Sequence, residues 1–170
     1  FTSRTFPPGS IGGIGRFVHH LARAIAEKGH QVHVLTVGEG HDRVDFEEGI
    51  WVHRICIRDY AIPPGLQIPS HIWNYSRTMY AEAECIAERR PIDCVTAPIW
   101  DVEGIAFLIE GRFLLATTLQ TTMHFYLDTN PDKQGDEAFT TQFAYPILAL
   151  ERRLMLECDV VLAISDAIVT

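Results

Sequence analysis

Between Ile14 and Val37 the hydrophobic period changes once, and that change restricts the fold more than any other feature of the chain. Ile14, Phe17, Val18, Leu21, Ala22 and Ile25 fall at the i, i+3, i+4, i+7 spacing of a helix packed on one side. Gly29, just after Lys28, ends that helix. "QVHVLTV" (residues 31–37) then alternates and is rich in β-branched residues, the pattern of a strand. A helix that feeds a strand through so short a link is the second half of a β-α-β unit. Its first strand is expected upstream, with "FTSRTF" following that strand's carboxyl end.

The alternation continues. Gly49 separates "RVDFEE" from "IWVHRICI", two short strands able to pair as a hairpin or extend the sheet. "IPPGLQIP" holds three prolines in eight residues and reads as a loop. Ser70 is expected to cap a helix from about His71 to Arg90, with Ile72, Tyr75, Met79, Ala83 and Ile86 inward and Pro91 as its stop. "DCVTAP" is a short buried strand, Asp101 caps a short helix to about Ile109, and "FLLATTL" is another strand. Residues 120–136 read as a long loop. Glu137 to Glu157 is a helix broken near Pro146, and "DVVLAIS" is a strand before a helix capped by Ser165. Alternating helices and near-continuous apolar strands predict an α/β fold: a doubly wound, mostly parallel Rossmann-like sheet with helices on both faces.

The 170 residues suit one domain. A net charge of −8 argues against a nucleic-acid partner, because phosphate backbones are bound through clustered Lys and Arg. Cys56, Cys85, Cys94 and Cys158 form no CxxC and read as small buried hydrophobes in a reducing, cytoplasmic compartment. Eight histidines occur without an HExxH, so no metal is expected. No apolar run approaches the ~18 residues of a membrane span, and no signal peptide is visible. Both ends of the chain look cut from a longer protein.

In doubly wound sheets ligands sit beyond the carboxyl ends of the strands, where strand order reverses. That rule selects the glycine loop, "TVGEG", "APIWD", "TLQTTMH" and "AISD". The loop has four glycines between Gly9 and Gly15. A dinucleotide GxGxxG begun at Gly13 fails at Val18, although Glu39 is placed to bind a ribose; a P-loop fails at Arg16 and Phe17. Two readings remain. Gly12 and Gly13 expose N–H groups to an anion at a helix start, with Arg16 on the first turn able to meet a phosphate, or the glycines only let the chain turn. Trp100 offers a face for a sugar ring and Asp101 a carboxylate for its hydroxyls, unless Trp100 is core and Asp101 a helix cap. Glu103 either lines the same cleft or complements the helix dipole.

"FPPGSIGGIGRFVHHLARAIAEKGHQVHVLT" resembles the amino-terminal signature of family-4 (group 1) glycosyltransferases. The likeness continues through "GIWVHRI", "APIWDVEGIAFLI", "RFLLATTLQT" and "LERRLMLECDVVLAISDAI". The resemblance implies one half of a GT-B enzyme: residues 1–170 as the amino-terminal, acceptor-side domain, with the carboxyl-terminal donor domain absent and the chain inactive alone. It implies sugar transfer from a nucleotide-sugar donor to a sugar or glycoconjugate acceptor, with retention and without a metal. Membrane association occurs in the family, but no basic amphipathic helix supports it here. Gly12 and Gly13 would approach the donor diphosphate. The family's "TLHT"-like histidine falls on Gln120, which can hydrogen-bond a sugar but carries no proton. His124 stands as its possible substitute, and Thr121 joins the acceptor-binding set. The family's Glu-x7-Glu motif belongs to the donor half, and the same spacing at Glu39 and Glu47 reads as chance. A dinucleotide-dependent oxidoreductase and a non-catalytic sugar- or nucleotide-binding module stay open as alternatives.

Overall fold

A computed structural model describes residues 1–9 and 12–165. The chain is α/β and Rossmann-like. Helix α1 (Gly13–Glu27) leads into β1 (Val32–Val37), followed by the hairpin β2 (Arg43–Glu47) and β3 (Ile50–Ile55). Then come α2 (Ser70–Ala87), β4 (Val95–Pro98), a 3-10 turn (Trp100–Val102), α3 (Ile105–Glu110) and β5 (Leu115–Leu119). Short helices α4 (Met123–Thr129), α5 (Pro131–Gln134) and α6 (Glu137–Phe139) precede a π-turn (Thr140–Ala144), α7 (Tyr145–Glu157) and β6 (Val160–Ala163).

The strands form two three-stranded sheets, β1-β3-β2 and β4-β5-β6, parallel except for β2. Phe1–Ser3 joins them. Leu35 donates to the Phe1 carbonyl (2.9 Å) and Ser3 to the Leu35 carbonyl (3.0 Å), while Thr2 donates to Thr96 on β4 (2.9 Å). "FTSRTF" thus leaves the middle of the strand array at its carboxyl edge. Strand order reverses there, because α1 leads to β1 on one side and α2 to β4 on the other.

Period-two alternation puts helices on both faces. Val32 and Val34 of β1 and Ile50 and Val52 of β3 are buried with Phe6, Val18 and Ala22 on the α1 side. Leu35 and Ile55 join the larger core with Ile72, Tyr75, Met79, Ala83 and Ile86, the predicted inward face of α2. A half-buried chain of side chains fastens α2 further. His53 Nδ1 lies 2.7 Å from Glu82 Oε1, and His53 Nε2 lies 2.9 Å from His33 Nδ1. A carboxylate only accepts, so His53 Nδ1 carries a proton and donates to Glu82. His53 Nε2 then accepts from His33, or donates to it when His53 is charged; both arrangements tie α2 to β1 and β3. Burial, helped by the facing His53, lowers the His33 pKa to about 4.

Three local expectations need correction. Residues 120–136 are not a loop: Thr122 caps α4 by accepting from Phe125 N–H (3.2 Å), and Pro131 opens α5. Ser70 is the first residue of α2, after Pro69 at the cap position, and makes no capping bond there. The long helix does restart at Pro146 as expected: α7 begins at Tyr145 with Pro146 in its first turn, after the wide π-turn of residues 140–144. None of the cysteines is buried; Cys85 and Cys94 are exposed and Cys56 and Cys158 half-exposed, because each sits at an element's solvent side or end. All four are free thiols. The helix predicted after Ser165 lies outside the described residues.

Of Gly13 and Gly15, the tight position is Gly15. A β-carbon on Gly15 would sit 2.9 Å from the Thr5 carbonyl carbon and collide with its oxygen. Gly15→Ala is therefore expected to cost about 1–3 kcal/mol, as overpacking does, read as a fall in the urea midpoint. An unchanged midpoint would show that α1 does not rest on Thr5.

Candidate functional site

The segments after Ser3, β1, β4 and β5 meet at the carboxyl edge of the sheet. Arg4 is their hub. Its backbone N–H donates to Glu103 Oε1 (3.1 Å), and its carbonyl accepts from Thr36 Oγ1 (3.5 Å). Its guanidinium lies over the Tyr75 ring, 4.4 Å from the centroid. Arg4 Nε is 3.8 Å from Asp101 Oδ2, an ion pair longer than a hydrogen bond. Arg4 Nε and Nη2 are enclosed without a hydrogen-bond partner.

Asp101 and Val102 both have left-handed backbone, with φ of 54° and 46°. For a β-branched residue that conformation is rare, and each such residue costs about 1–3 kcal/mol. Complete burial of Val102 and its N–H bond to the Ile99 carbonyl (2.9 Å) hold the turn. Asp101 does not cap the following helix: α3 starts after Gly104 with no side-chain cap. The carboxylate is thus released from the structural role its sequence position offered. It keeps 19% of its side-chain exposure. Burial raises its pKa, against the opposing pull of Arg4 and His71.

Glu103 lies deeper, 2% exposed. Oε1 takes the Arg4 N–H, and Oε2 accepts from Tyr75 O–H at 2.9 Å. Its own carbonyl accepts from Ser76 Oγ (2.7 Å), which in turn accepts from Ala106 N–H (2.9 Å). Both carboxylate oxygens face inward, so Glu103 ties the edge to α2 instead of facing a cleft. Burial raises its pKa from 4.5 to about 7. The unfolded chain therefore loses this proton first as pH rises, and the stability held below about pH 4.5 is lost as pH passes 7. Glu103→Gln lacks that proton, so its stability relative to the parent is expected to rise by up to about 3 kcal/mol between pH 4.5 and 7. Parallel urea titrations of the two proteins would count against the buried acid.

Trp100 is half-buried, edge-on to Tyr126 with centroids 5.7 Å apart. Gln120 donates from Nε2 to Thr118 Oγ1 (2.8 Å), while its Oε1 is enclosed without a partner. Thr121 is half-buried just before the α4 cap. His124 does not curl back towards Gln120. It lies on α4 with its side chain 75% exposed and Nδ1 3.1 Å from Asp128 Oδ2, a pair one helical turn apart.

On the other side of the edge, Gly12 precedes α1 with extended backbone (φ −72°, ψ 150°), and Gly13 is its first residue. A β-carbon on Gly13 meets no described residue beyond its chain neighbours within 4 Å. The first turn of α1 carries no acidic residue and no side-chain cap. Arg16 is exposed and makes no ion pair with a described residue. Ser10 and Ile11 lie outside the described residues. The turn before them is held from β3, where Arg54 Nη2 donates to the Pro7 carbonyl (3.1 Å).

The edge therefore gathers Asp101, Glu103, Trp100, Gln120 and Thr121 on the β4–β5 side and the α1 start on the other, and it leaves His124 at the surface. Sequence reasoning missed Arg4, Tyr75, Glu151 and Arg54. Arg4 had a signal, since it directly follows the central segment at the point of reversal; the others are helix or strand residues whose partners lie far along the chain. Two cavities lie away from this edge. One, of about 850 Å³, is lined by Phe1, Ile25, Leu35 and Ile86, and the other, of about 470 Å³, by His33, Trp51 and Glu82. No helix among the described residues is long and apolar enough to cross a membrane.

A family model described as Glycosyltransferase Family 4 matches residues 11–170, most of the chain. No curated protein matches it.

Proposed function

This chain belongs to glycosyltransferase family 4, and from that premise we propose that it is the acceptor-side domain of a retaining enzyme. In this reading a donor domain follows in the full-length protein and supplies the nucleotide contacts. The substrates are a nucleotide-sugar and a sugar or glycoconjugate acceptor. The N–H groups at the start of α1, beside Gly12 and Gly13, receive the diphosphate as the bond to the sugar carbon breaks and charge builds on the leaving oxygen. Arg16, exposed on the same turn, adds a cation.

The observation that carries the acceptor assignment is Asp101: a carboxylate in strained, left-handed backbone, without a capping role, beside the half-buried Trp100. Strain of this kind persists where the surroundings enforce it, and it gathers at functional sites. Asp101 accepts a hydrogen bond from an acceptor hydroxyl while Trp100 packs against the ring. Gln120 contacts the transferred sugar from the β5 side, and Thr121 contacts the acceptor. Glu103 supports the edge from beneath. Free thiols at all four cysteines fit a reducing cytoplasm.

The test is Asp101→Asn in the full-length enzyme, with nucleoside diphosphate release measured from uridine and guanosine diphosphate sugars. Acceptor-dependent release should fall at least tenfold, while the slow release to water stays unchanged. Equal losses in both would remove Asp101 from the acceptor site, and no release by the unaltered enzyme from any nucleotide-sugar would overturn the transferase reading.

A further inference from the structure

We propose that Glu151 of α7 is a positioning residue for the transfer, fixing the Gln120–Thr121 segment through the first backbone N–H of α4. The proposal rests on the transferase reading and adds to it a residue that touches neither substrate. Glu151 is 2% exposed. Both of its oxygens accept from Met123 N–H, at 2.9 and 3.0 Å, and no cation among the described residues pairs with it. A buried carboxyl without an ion partner is costly, so its one anchoring bond needs a reason.

The reason lies in the chain path. The first N–H groups of a helix have no partners within it. Thr122 Oγ1 satisfies Phe125 N–H, and Glu151 satisfies Met123 N–H. β5 ends at Leu119 and is held in the sheet, so only residues 120–122 lie between two fixed points. Gln120 and Thr121 are therefore pinned from both sides, one side being Glu151. α7 also packs against the turn that carries Asp101.

Electrostatics agrees with the geometry. Burial raises the Glu151 pKa to about 7, and the charge of Asp101 pushes it the same way. Of the groups on the elements packed against α7, Asp101 acts on it, whereas His124 and Asp128 of α4 pair with each other at the surface. Below about pH 7 Glu151 is neutral, and Asp101 does not face a second buried charge.

Glu151→Gln and Glu151→Ala in the full-length enzyme separate positioning from mere support. Glutamine keeps the acceptor oxygen for Met123, so at pH 6 it should retain the parent's kcat and KM. The parent's kcat is expected to fall above pH 7, where an ionised Glu151 faces Asp101, and glutamine should remove that fall. Alanine should lower kcat at least tenfold with KM for the nucleotide-sugar unchanged, and should speed amide exchange at Met123. Wild-type kcat in a folded alanine variant, or a glutamine variant with the parent's pH profile, would overturn the proposal. If the unaltered enzyme releases no nucleoside diphosphate, the transferase reading fails by itself. Amide exchange still judges the anchor, and unaltered exchange at Met123 in the alanine variant would remove it.

Discussion

Gly13→Val in the full-length enzyme is expected to lower turnover by about 10²–10³-fold, the loss that follows removal of one preorganised oxyanion donor, while its melting temperature holds. The two halves of that result have separate causes. A β-carbon at Gly13 meets no described residue beyond its chain neighbours within 4 Å, and the residue already has helical backbone, so little of the described fold is disturbed. Glycine is among the poorest helix formers, and valine at this position is, if anything, stabilising by a few tenths of a kcal/mol. The ligand, by contrast, meets a branched side chain where only hydrogen atoms stood. Activity and melting measured on one preparation decide the matter. Near-normal turnover in the folded variant would mean that the diphosphate does not approach this turn. A melting loss in step with activity would point instead to a purely architectural glycine, the role the structure gives Gly15.

Arg54→Ala should destabilise the chain by about 3 kcal/mol, the lower end of the range for breaking a buried ion pair. The Arg54 side chain is only 9% exposed. It donates to Asp45 Oδ2 (2.6 Å), to Glu47 Oε1 and Oε2 (2.7 and 3.2 Å) and to the Pro7 carbonyl (3.1 Å). The lower end applies because Asp45 and Glu47 keep 39% and 40% exposure, so water screens the charges left behind. The Pro7 bond gives the substitution a second signature. Releasing it frees the turn ahead of Gly12, so amide protection should fall at the start of α1 and in β2, with α7 unaffected. A loss below about 1 kcal/mol would show that solvent already screens the cluster.

The sequence by itself determined the order of helices and strands outside residues 120–136 and the inward faces of α1 and α2. These follow from local periodicity and from glycine and proline at element ends, which act over a few residues. The same locality explains the family likeness and the choice of the carboxyl edge. It also picked out Asp101 and Trp100, because a strand end is visible in the chain.

What the local signals could not carry is partnership. Asp101 looked like a helix cap because it precedes an apolar run; only the packing of Val102 shows that its backbone is left-handed and its carboxylate released. Glu103 looked like either a cleft residue or a complement to the helix dipole, yet Arg4, 99 positions away, and Tyr75, 28 positions away, turn both of its oxygens inward. His124 followed the strand closely enough to suggest a substitute for the family histidine, but the helix that Thr122 caps points it at Asp128 and into solvent. Glu151 and Arg54 carried no signal, since a glutamate in a helix and an arginine in a strand read as surface until their partners are known. Tertiary structure alone decided these five side chains, because the cost of burying a charge depends on which donors surround it, and those donors come from distant parts of the chain.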